Sequence, residues 1–441
     1  MGSTNIAIVG GGISGCSAAW FLREALGGEL ELTVYERDAR LGGRLATIDV
    51  GGTPVEAGGT IIHETNRYLA GFVEQLGLQR VEPHQQDPGS EESVGVWNGQ
   101  RFAFRTHDSA LLTRLAAVWR FGLRSPLRLQ REVQRRVEQW NQIYAHLEKG
   151  AAFDSPAALC SELGLESLLE IDGRQWLANS GVRGRFVDEY ATPVGRIMYG
   201  QDVSMNGFAT SIALAGAGLA GSLFSVGGGN RLVCEGLVRE AGAELRCSAA
   251  IEAMSKSADG IELKLATGES VRHDLVVLAT PMGLGGLSLS GIDAPEPATR
   301  KRAFQTTWAT FIQGVPRAGY FGVASAGALP DAVLTVEDDA VPFSSLGLVA
   351  ESADGASIYK LFTRDPVPES LLDELFESRE LVEQIRWEAY PVLRPTSELP
   401  PFRVADGLFW VNAMEYAVST METQAVAARN VANLVAAELG V

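Results

Sequence analysis

Apolar and polar positions form distinct blocks at the start of the chain. Residues 6–9 are an apolar run, residues 10–12 are glycines, and an alanine-rich stretch with helical periodicity follows. A second apolar run leads to Glu36. A strand, a helix and a second strand in this order predict a βαβ unit with two parallel strands.

The same patterning predicts elements further along the chain. Helical periodicity is found in three stretches: residues 66–76, 109–121 and 126–148. Within the third stretch, residues 127–147 are charged on most faces, which indicates a solvated surface helix. Strand-like or hairpin-like patterns are found in four stretches: residues 45–56, 274–279, 308–315 and 356–362.

The glycine cluster has the spacing of a dinucleotide-binding loop. Gly10 allows the tight turn, Gly12 lets a pyrophosphate approach the backbone, and Gly15 lets the helix pack close to the strand. Ile13 and Ser14 open the helix, and a helix N-terminus favours a bound anion.

An acid and two further glycine pairs follow this loop. Glu36 ends the second strand at the place where an acid binds a ribose 2′-hydroxyl, which favours FAD or NAD over NADP. A Gly-Gly-Arg segment ends at Arg44, and Gly58-Gly59-Thr60 follows the predicted hairpin.

These segments resemble the flavoprotein superfamily that contains the monoamine oxidases. Near the C-terminus, Glu415 matches an acid that contacts the flavin ribityl and phosphate region, and Met421-Glu422 matches the opening of the last helix. The resemblance implies FAD, with the dipole of that helix directed at the flavin. It assigns ten residues to the cofactor site: Arg37, Gly43, Arg44, Gly58, Gly59, Thr60, Ile251, Glu415, Met421 and Glu422.

The fold class that follows is α/β, with a discontinuous Rossmann-like FAD-binding domain and a second α+β substrate domain. The FAD-binding domain is expected to comprise residues 1–66, 214–281 and 401–441. The substrate domain is expected to comprise residues 67–213 and 282–400.

Several runs in both predicted domains resemble prenylcysteine oxidase, a flavin enzyme that cleaves the thioether of farnesylcysteine or geranylgeranylcysteine. The runs are residues 56–63, 193–201, 228–234, 387–391 and 415–422. The resemblance implies a small hydrophobic substrate, a prenylated thioether, and molecular oxygen as the electron acceptor. Hydride transfer to the flavin would then give an aldehyde, a free thiol and hydrogen peroxide.

Five residues are candidates for catalysis. His63 lies four residues after Gly59 and is expected to orient substrate or water as a base, or else to bond to the backbone. Arg196 matches the geometry of a carboxylate clamp for the cysteine moiety, or of a salt bridge between domains. Tyr199 and Gln201 are expected at the flavin edge. Lys360 is expected to hold a water near the flavin, as a lysine does in amine oxidases, or to be solvated at its strand end.

Three aromatic residues are candidates for the substrate wall: Trp387, Tyr390 and Tyr416. Core packing is the alternative for Trp387 and Tyr390.

Composition narrows the possible partners and locations. The net charge of -17 argues against nucleic acid. Cys16, Cys160, Cys234 and Cys247 have no metal-ligand spacing, so reduced thiols and no metal are expected. Residues 203–230 carry no charge and are long enough to span a bilayer, but their Gly, Ser and Thr content favours a buried helix and loop. The first strand leaves no room for a signal peptide, unlike in the lysosomal animal enzymes, and a cytoplasmic location is expected.

Three alternatives stay open. A monoamine or polyamine oxidase is disfavoured by Thr420, because monoamine oxidases carry an aromatic there as part of the amine-binding cage. An isoprenoid or porphyrinogen desaturase also needs a long apolar cavity. A flavin-bound carrier module predicts that neither thioethers nor amines bleach the flavin.

Overall fold

The structure is a computed structural model that describes residues 3–28, 30–82, 93–107, 109–219, 222–282, 286–352 and 354–441. Its strands are β1 Thr4–Val9, β2 Leu30–Tyr35, β3 Thr47–Val50, β4 Thr53–Glu56, β5 Ile62–His63, β6 Arg80–Val81, β7 Val94–Trp97, β8 Phe102–Arg105, β9 Leu223–Val226, β10 Glu244–Arg246, β11 Ile251–Ser257, β12 Gly260–Leu265, β13 Ser270–His273, β14 Leu275–Leu278, β15 Ser288–Ser290, β16 Phe304–Pro316, β17 Ala332–Thr335, β18 Ser345–Glu351, β19 Ser357–Thr363, β20 Phe376–Pro391, β21 Arg403–Ala405 and β22 Leu408–Trp410.

Its α-helices are α1 Ile13–Leu26, α2 Arg67–Gln75, α3 Ala110–Phe121, α4 Arg124–Glu148, α5 Pro156–Glu162, α6 Ser167–Glu170, α7 Gly173–Asn179, α8 Thr192–Tyr199, α9 Gly207–Leu214, α10 Arg231–Glu240, α11 Glu296–Thr299, α12 Ala318–Phe321, α13 Glu369–Leu375 and α14 Met421–Leu439.

A six-stranded sheet forms the first structural centre, with the strand order β10-β2-β1-β14-β22-β21. Neighbouring strands from β10 to β22 are parallel, and β21 is antiparallel to β22. The central strand β1 is almost fully buried, as expected for a strand covered on both faces. Helix α1 packs against α10 and α14. The predicted α/β class with a Rossmann-like domain is confirmed.

This sheet takes its strands from all three segments predicted for the FAD-binding domain. Strands β1 and β2 lie in the first segment, β10 and β14 in the second, and β21 and β22 in the third. The chain therefore leaves this sheet three times and returns to it, which brings residues distant in sequence next to each other.

A seven-stranded sheet forms the second centre, with the order β20-β16-β19-β18-β17-β7-β8. The two strands predicted here, over residues 308–315 and 356–362, correspond to β16 and β19. The 16-residue strand β20 has no sequence prediction. Its many glutamates and arginines hide a strand pattern, and antiparallel pairing with β16 stabilises it.

The three predicted helices of the second domain are α2, α3 and α4. The prediction of a solvated surface helix is confirmed for most faces of α4, but one stripe of α4 is buried in the core: Leu129, Val133, Trp140, Ile143, Tyr144 and Leu147. The uncharged stretch over residues 203–230 contains the mostly buried helix α9 and strand β9. No helix within the described residues combines the length and apolar character needed to cross a membrane.

Candidate active site

In the glycine loop after β1, a side chain would have room at Gly12 but not at Gly10 or Gly15. A Cβ on Gly10 would lie 2.5 Å from the carbonyl oxygen of Ala279, and a Cβ on Gly15 would lie 1.9 Å from that of Gly10. A Cβ on Gly12 would meet nothing nearer than the carbonyl oxygen of Gly42, at 3.9 Å. The backbone at Gly12 therefore faces a space that a ligand can fill, beside the N-terminus of α1.

A second glycine segment lies against this loop. The Gly42 N–H donates to the carbonyl oxygen of Gly11 over 2.8 Å. A Cβ on Gly43, where φ is +56°, would lie 3.5 Å from the Gly12 Cα. Gly12 and Gly43 thus line two sides of one open space, which we call the cradle. A side chain at either position would occupy this space.

Glu36 lies under the glycine loop at the end of β2. Its carboxylate accepts hydrogen bonds from the Gly11 N–H (2.6 Å) and the Asp38 N–H (2.9 Å). Arg37 next to it extends into solvent beside Asp38. The Ala249 N–H donates to the Glu36 carbonyl oxygen over 2.8 Å, which places the start of β11, at Ile251, near the same strand end.

The Arg44 side chain joins the two sheets. Its guanidinium is ion-paired with Glu415 and donates to the carbonyl oxygen of Ala389 on β20 over 2.7 Å. Glu415 is fully buried and also accepts a hydrogen bond from the Asn412 side chain at 2.8 Å.

Three side-chain polar atoms of residues 412–424 are buried without a partner among the described residues. They are the second carboxylate oxygen of Glu415, Oδ1 of Asn412 and Nε2 of Gln424. Ser14, in the first turn of α1, donates to the other amide atom of Gln424 at 3.3 Å. Because buried polar atoms are normally hydrogen-bonded, these orphans indicate that a polar ligand lies here.

The segment from Gly58 to Thr60 is held from three sides. Gly58 is required, since a Cβ there would lie 1.8 Å from the carbonyl oxygen of Arg44. Asn230 donates to the carbonyl oxygens of Gly59 (2.9 Å) and Thr60 (2.8 Å). A Cβ on Gly59 would lie 3.9 Å from the Met421 sulfur, so this segment reaches the start of α14.

Trp387 supports the same segment from β20. Its indole N–H donates to the carbonyl oxygen of Ala57 over 3.1 Å, and the ring is half-buried. The side chain thus helps to position the glycine pair.

The buried Lys360 and the half-buried Glu56 lie next to each other beside Thr60. The Lys360 Nζ donates to the Glu56 carbonyl oxygen (3.1 Å) and lies 3.4 Å from the Thr60 hydroxyl. Burial lowers the pKa of Lys360 to about 8, with the charge of Glu56 opposing the shift. Burial raises the pKa of the Glu56 carboxyl to about 7, against a hydrogen bond from the Asn230 N–H and the charge of Lys360. Both groups therefore exchange protons near neutral pH.

This pair borders a cavity of about 140 Å³. The cavity is lined by Glu56, Thr60, Lys360, Ser225, Val349 and the glycines 227–229, among others. The predicted alternative of a solvated Lys360 is wrong, because the side chain is 8% exposed.

His63 presents one ring nitrogen without a partner. Its Nδ1 accepts the Thr65 N–H at 3.1 Å and lies 2.8 Å from the Thr65 hydroxyl. The neutral ring therefore carries its proton on Nε2, which is buried and has no partner among the described residues. Burial lowers the pKa of His63 against the charge of Glu64, which favours this neutral form.

Of the three tyrosines predicted for the site, Tyr199 and Tyr416 are buried, and Tyr390, on β20, is half-buried. Tyr199 and Tyr390 pack edge to face with ring centroids 5.0 Å apart. Tyr416 packs under the Arg302 guanidinium, which lies 4.8 Å from the ring centroid. In the described part of the chain, the buried hydroxyls of Tyr199 and Tyr416 have no hydrogen-bond partner.

The proposed substrate clamp at Arg196 is wrong. Its guanidinium is ion-paired with Glu337 and donates to the Thr335 hydroxyl (3.1 Å) and to the Phe343 carbonyl oxygen (3.2 Å). The alternative of a salt bridge is correct, but the bridge joins α8 to the seven-stranded sheet inside the predicted substrate domain.

The predicted site role of Gln201 is also wrong. Its amide donates to the Pro391 carbonyl oxygen (3.1 Å) and accepts the Leu393 N–H (2.9 Å). Gln201 therefore holds the end of β20 against the turn that follows α8.

The Glu422 side chain does not reach the cofactor space. Its carboxylate accepts the N–H groups of Tyr68 and Leu69, each at 2.9 Å, and the Tyr144 hydroxyl at 2.7 Å. It caps the N-terminus of α2, and only the backbone of its own helix is left to face a flavin.

Sequence reasoning missed Glu56, Asn412 and Gln424 as site residues. Glu56 ends the predicted hairpin two residues before Gly58. Its closeness in sequence to this predicted cofactor residue could have identified it as a site residue. Asn412 and Gln424 lie close in sequence to Glu415 and Met421-Glu422, but the resemblance assigns them no role, so only the fold reveals them.

A Rossmann-type sheet with a glycine cradle, joined to a mostly antiparallel sheet that carries a buried lysine, defines a dinucleotide-binding oxidoreductase fold. Solved structures agree. The chain superposes on cyclohexylamine oxidase from Brevibacterium oxydans IH-35A with a TM-score of 0.66 at 18% identity, covering 100% of both chains. It superposes on a putative protoporphyrinogen oxidase from Exiguobacterium sp. 255-15 with a TM-score of 0.67 at 16% identity, again covering 100% of both.

Sequence comparison gives the family. A family model described as prenylcysteine lyase matches residues 104–440, and one described as NAD(P)-binding Rossmann-like domain matches residues 8–76. Farnesylcysteine lyase of Arabidopsis thaliana is 35% identical, covering 98% of this chain and 87% of the relative. Prenylcysteine oxidase 1 of Homo sapiens is 30% identical, covering 97% and 88%. The chain belongs to the prenylcysteine lyase family, which confirms the family resemblance found in the sequence.

Proposed function

We propose that the chain is an FAD-dependent oxidase that cleaves an S-prenyl cysteine-like thioether. The observation that carries the proposal is the cradle of Gly12 and Gly43, linked through the neighbouring Arg44 to Glu415 with its unpartnered carboxylate oxygen, in a chain related along nearly its whole length to prenylcysteine enzymes. The net reaction consumes the thioether, water and molecular oxygen, and releases a free thiol, an aldehyde and hydrogen peroxide.

The residues present fit FAD. Gly12, Ile13 and Ser14 would hold the pyrophosphate at the start of α1, and Glu36 would bind the adenosine ribose. Arg44, Glu415 and Asn412 would contact the ribityl region. When bound, FAD supplies the acceptor for two electrons from the carbon beside sulfur and passes them to oxygen.

The protein itself would contribute proton handling and a dry site. Lys360 Nζ and the Thr60 hydroxyl, which lie 3.4 Å apart, would both bind one water on their cavity side, and Glu56 would exchange a proton with that water. His63 would donate from Nε2 to substrate or water. The buried rings of Tyr199 and Tyr416 and the half-buried ring of Tyr390 would exclude water from the prenyl chain.

The amine oxidase alternative is weakened by Thr420. Its hydroxyl accepts the Thr423 N–H at 3.1 Å and caps α14. This position therefore serves the helix and offers no aromatic face to an amine.

Anaerobic mixing of the purified protein with farnesylcysteine, benzylamine or a polyamine tests the proposal, with flavin absorbance as the readout. Bleaching by farnesylcysteine alone is expected. Bleaching by an amine and not by the thioether would overturn the proposed chemistry. Failure of the purified protein to bind FAD would overturn the assignment of FAD as its cofactor.

The cytoplasmic location also stays a proposal. It is supported by the four cysteines, which all lie in the described part of the chain and are all free thiols. Cell fractionation tests it, and recovery of the protein in the lysosomal or extracellular fraction would overturn it.

A further inference from the structure

A cluster of large apolar side chains is exposed on α3, in the turn after it and at the start of α4. We call it the Trp119 patch, and its members are Leu111, Leu112, Leu115, Val118, Trp119, Leu123 and Leu127. Their exposed fractions range from 40% at Val118 to 85% at Trp119. All residues of α3 are described and none of them is buried.

The spacing of these residues is that of a helix face that packs. Leu111, Leu115, Val118 and Trp119 follow the i, i+4, i+7, i+8 pattern that usually faces a core. Here the pattern faces outward. Single exposed apolar residues are common, but a contiguous apolar set marks an interaction surface.

The charged residues within the segment that carries the patch are all arginines, and one of them, Arg120, is ion-paired with Glu189. Residues 109–131 contain five arginines and no aspartate or glutamate, in a chain with a net charge of -17. Arg124, Arg128 and Arg131 follow the i, i+4, i+7 pattern on the outer side of α4, opposite the buried Leu129 and Val133. An anionic surface is complementary to this arrangement.

We propose that the Trp119 patch docks the protein on the surface of an anionic lipid bilayer. The leucines would enter the boundary between headgroups and acyl chains, Trp119 would lie at headgroup depth, and the arginines would bind lipid phosphates. Helix α3 has 12 residues and would lie in the membrane plane. This inference goes beyond the proposed function and does not depend on the substrate.

A second copy of the chain fits this surface less well. A two-fold interface is self-complementary, so it would bring the arginine rows of both copies together. Like charges facing each other across an interface oppose association. A bilayer offers apolar contact and negative charge at once.

Vesicle sedimentation tests the proposal, with vesicles of phosphatidylcholine alone or mixed with phosphatidylserine. The protein is expected to bind the mixed vesicles more tightly, and added salt is expected to weaken the binding. A Leu115→Ser/Trp119→Ser variant should bind about tenfold or more weakly, as should an Arg124→Glu/Arg131→Glu variant. Leu245→Ser, at an exposed leucine outside the patch, is the matched control and should bind like the unchanged protein.

The folded state of each variant is checked by its thermal midpoint, which should not change because these side chains are exposed. Absence of binding to the mixed vesicles, or equal binding by the Leu115→Ser/Trp119→Ser variant, would overturn the proposal. A dimer in light scattering that this variant converts to a monomer would assign the patch to a second copy and would overturn it as well.

Discussion

Gly10, Gly12 and Gly15 exclude a side chain for different reasons. Gly10 and Gly15 lack room, because a Cβ would meet backbone oxygen within 2.5 Å at either position. Gly12 has room and an extended backbone with φ −78° and ψ −179°, which any residue adopts. Its constraint therefore comes from the ligand, whereas the other two are constrained by the fold.

Gly12→Val is expected to fold normally and to lose bound FAD. The valine side chain would project into the cradle, so FAD affinity should fall by about tenfold or more. The ratio of flavin to protein absorbance and a titration of apoprotein with FAD measure the effect. Gly15→Ala is the contrast, since its Cβ would lie 1.9 Å from the Gly10 oxygen, and that variant should be destabilised. Full flavin content in Gly12→Val would contradict this view of the cradle.

Glu56 should make stability depend on pH. Its pKa is raised from 4.5 to about 7, so its contribution to stability is complete below pH 4.5 and is lost as the pH rises through about 7. When the pH is raised from 4.5 to 7, the unfolding free energy of the unchanged protein should fall by about 1–3 kcal/mol more than that of Glu56→Gln. Denaturant unfolding at both pH values measures this difference. Glu262→Gln, at an exposed position on β12, should show no such difference.

Lys360→Met is expected to retain FAD and to react slowly. The substitution removes the ammonium beside Thr60 but keeps an unbranched apolar stem, so flavin reduction by farnesylcysteine should slow by about a hundredfold. Because the pKa of Lys360 is about 8, the pH profile should also lose its limb near that value. Stopped-flow absorbance gives both quantities. An unchanged rate and profile would exclude Lys360 from proton handling.

At the scale of elements, short polar contacts decide how helices meet. The Glu422 carboxylate, in the first turn of α14, caps the first N–H groups of α2 and binds Tyr144 on α4. Three helices distant in sequence are thus joined by one buried side chain. Burial raises its pKa against these three hydrogen bonds.

Glu422→Ala should lower stability without lowering FAD affinity. It leaves the N–H groups of Tyr68 and Leu69 and the Tyr144 hydroxyl without an acceptor, which costs about 2 kcal/mol or more. Thermal unfolding and FAD titration of the same sample separate the two effects. Glu24→Ala, at an exposed ion pair on α1, is the control. Loss of FAD affinity with unchanged stability would mean that Glu422 acts in FAD binding and not in capping α2.

Local patterns predicted the elements well where a pattern exists. The βαβ unit, α2 and α3 follow from periodicity and glycine spacing, because their constraints are local. The role of Arg196 does not follow, because a motif shows that an arginine is present and cannot show whether its partners are a substrate or Thr335 and Glu337. Strand β20 is also hidden, because its stability comes from pairing with β16 and not from its own residues.

At the scale of the whole molecule, the two sheets meet at the cofactor space. Arg44 connects Glu415, after the last strands of the six-stranded sheet, to Ala389 on β20 of the seven-stranded sheet. The orphaned atoms of Glu415, Asn412 and Gln424 lie in the C-terminal part of the chain, and the glycine cradle lies at its start. A ligand that binds both would therefore fasten the first and last segments together.

FAD removal should consequently destabilise the whole fold. Binding to the folded state alone adds about 2.7 kcal/mol at a free ligand concentration one hundred times the dissociation constant. The apoprotein should unfold at a lower temperature, and added FAD should restore the midpoint in a concentration-dependent manner. Riboflavin, which lacks the pyrophosphate and adenosine, should restore less because it cannot reach the Gly12 cradle and Glu36. Equal stability with and without FAD would mean that the buried orphans have other partners and that the three segments hold together without a ligand.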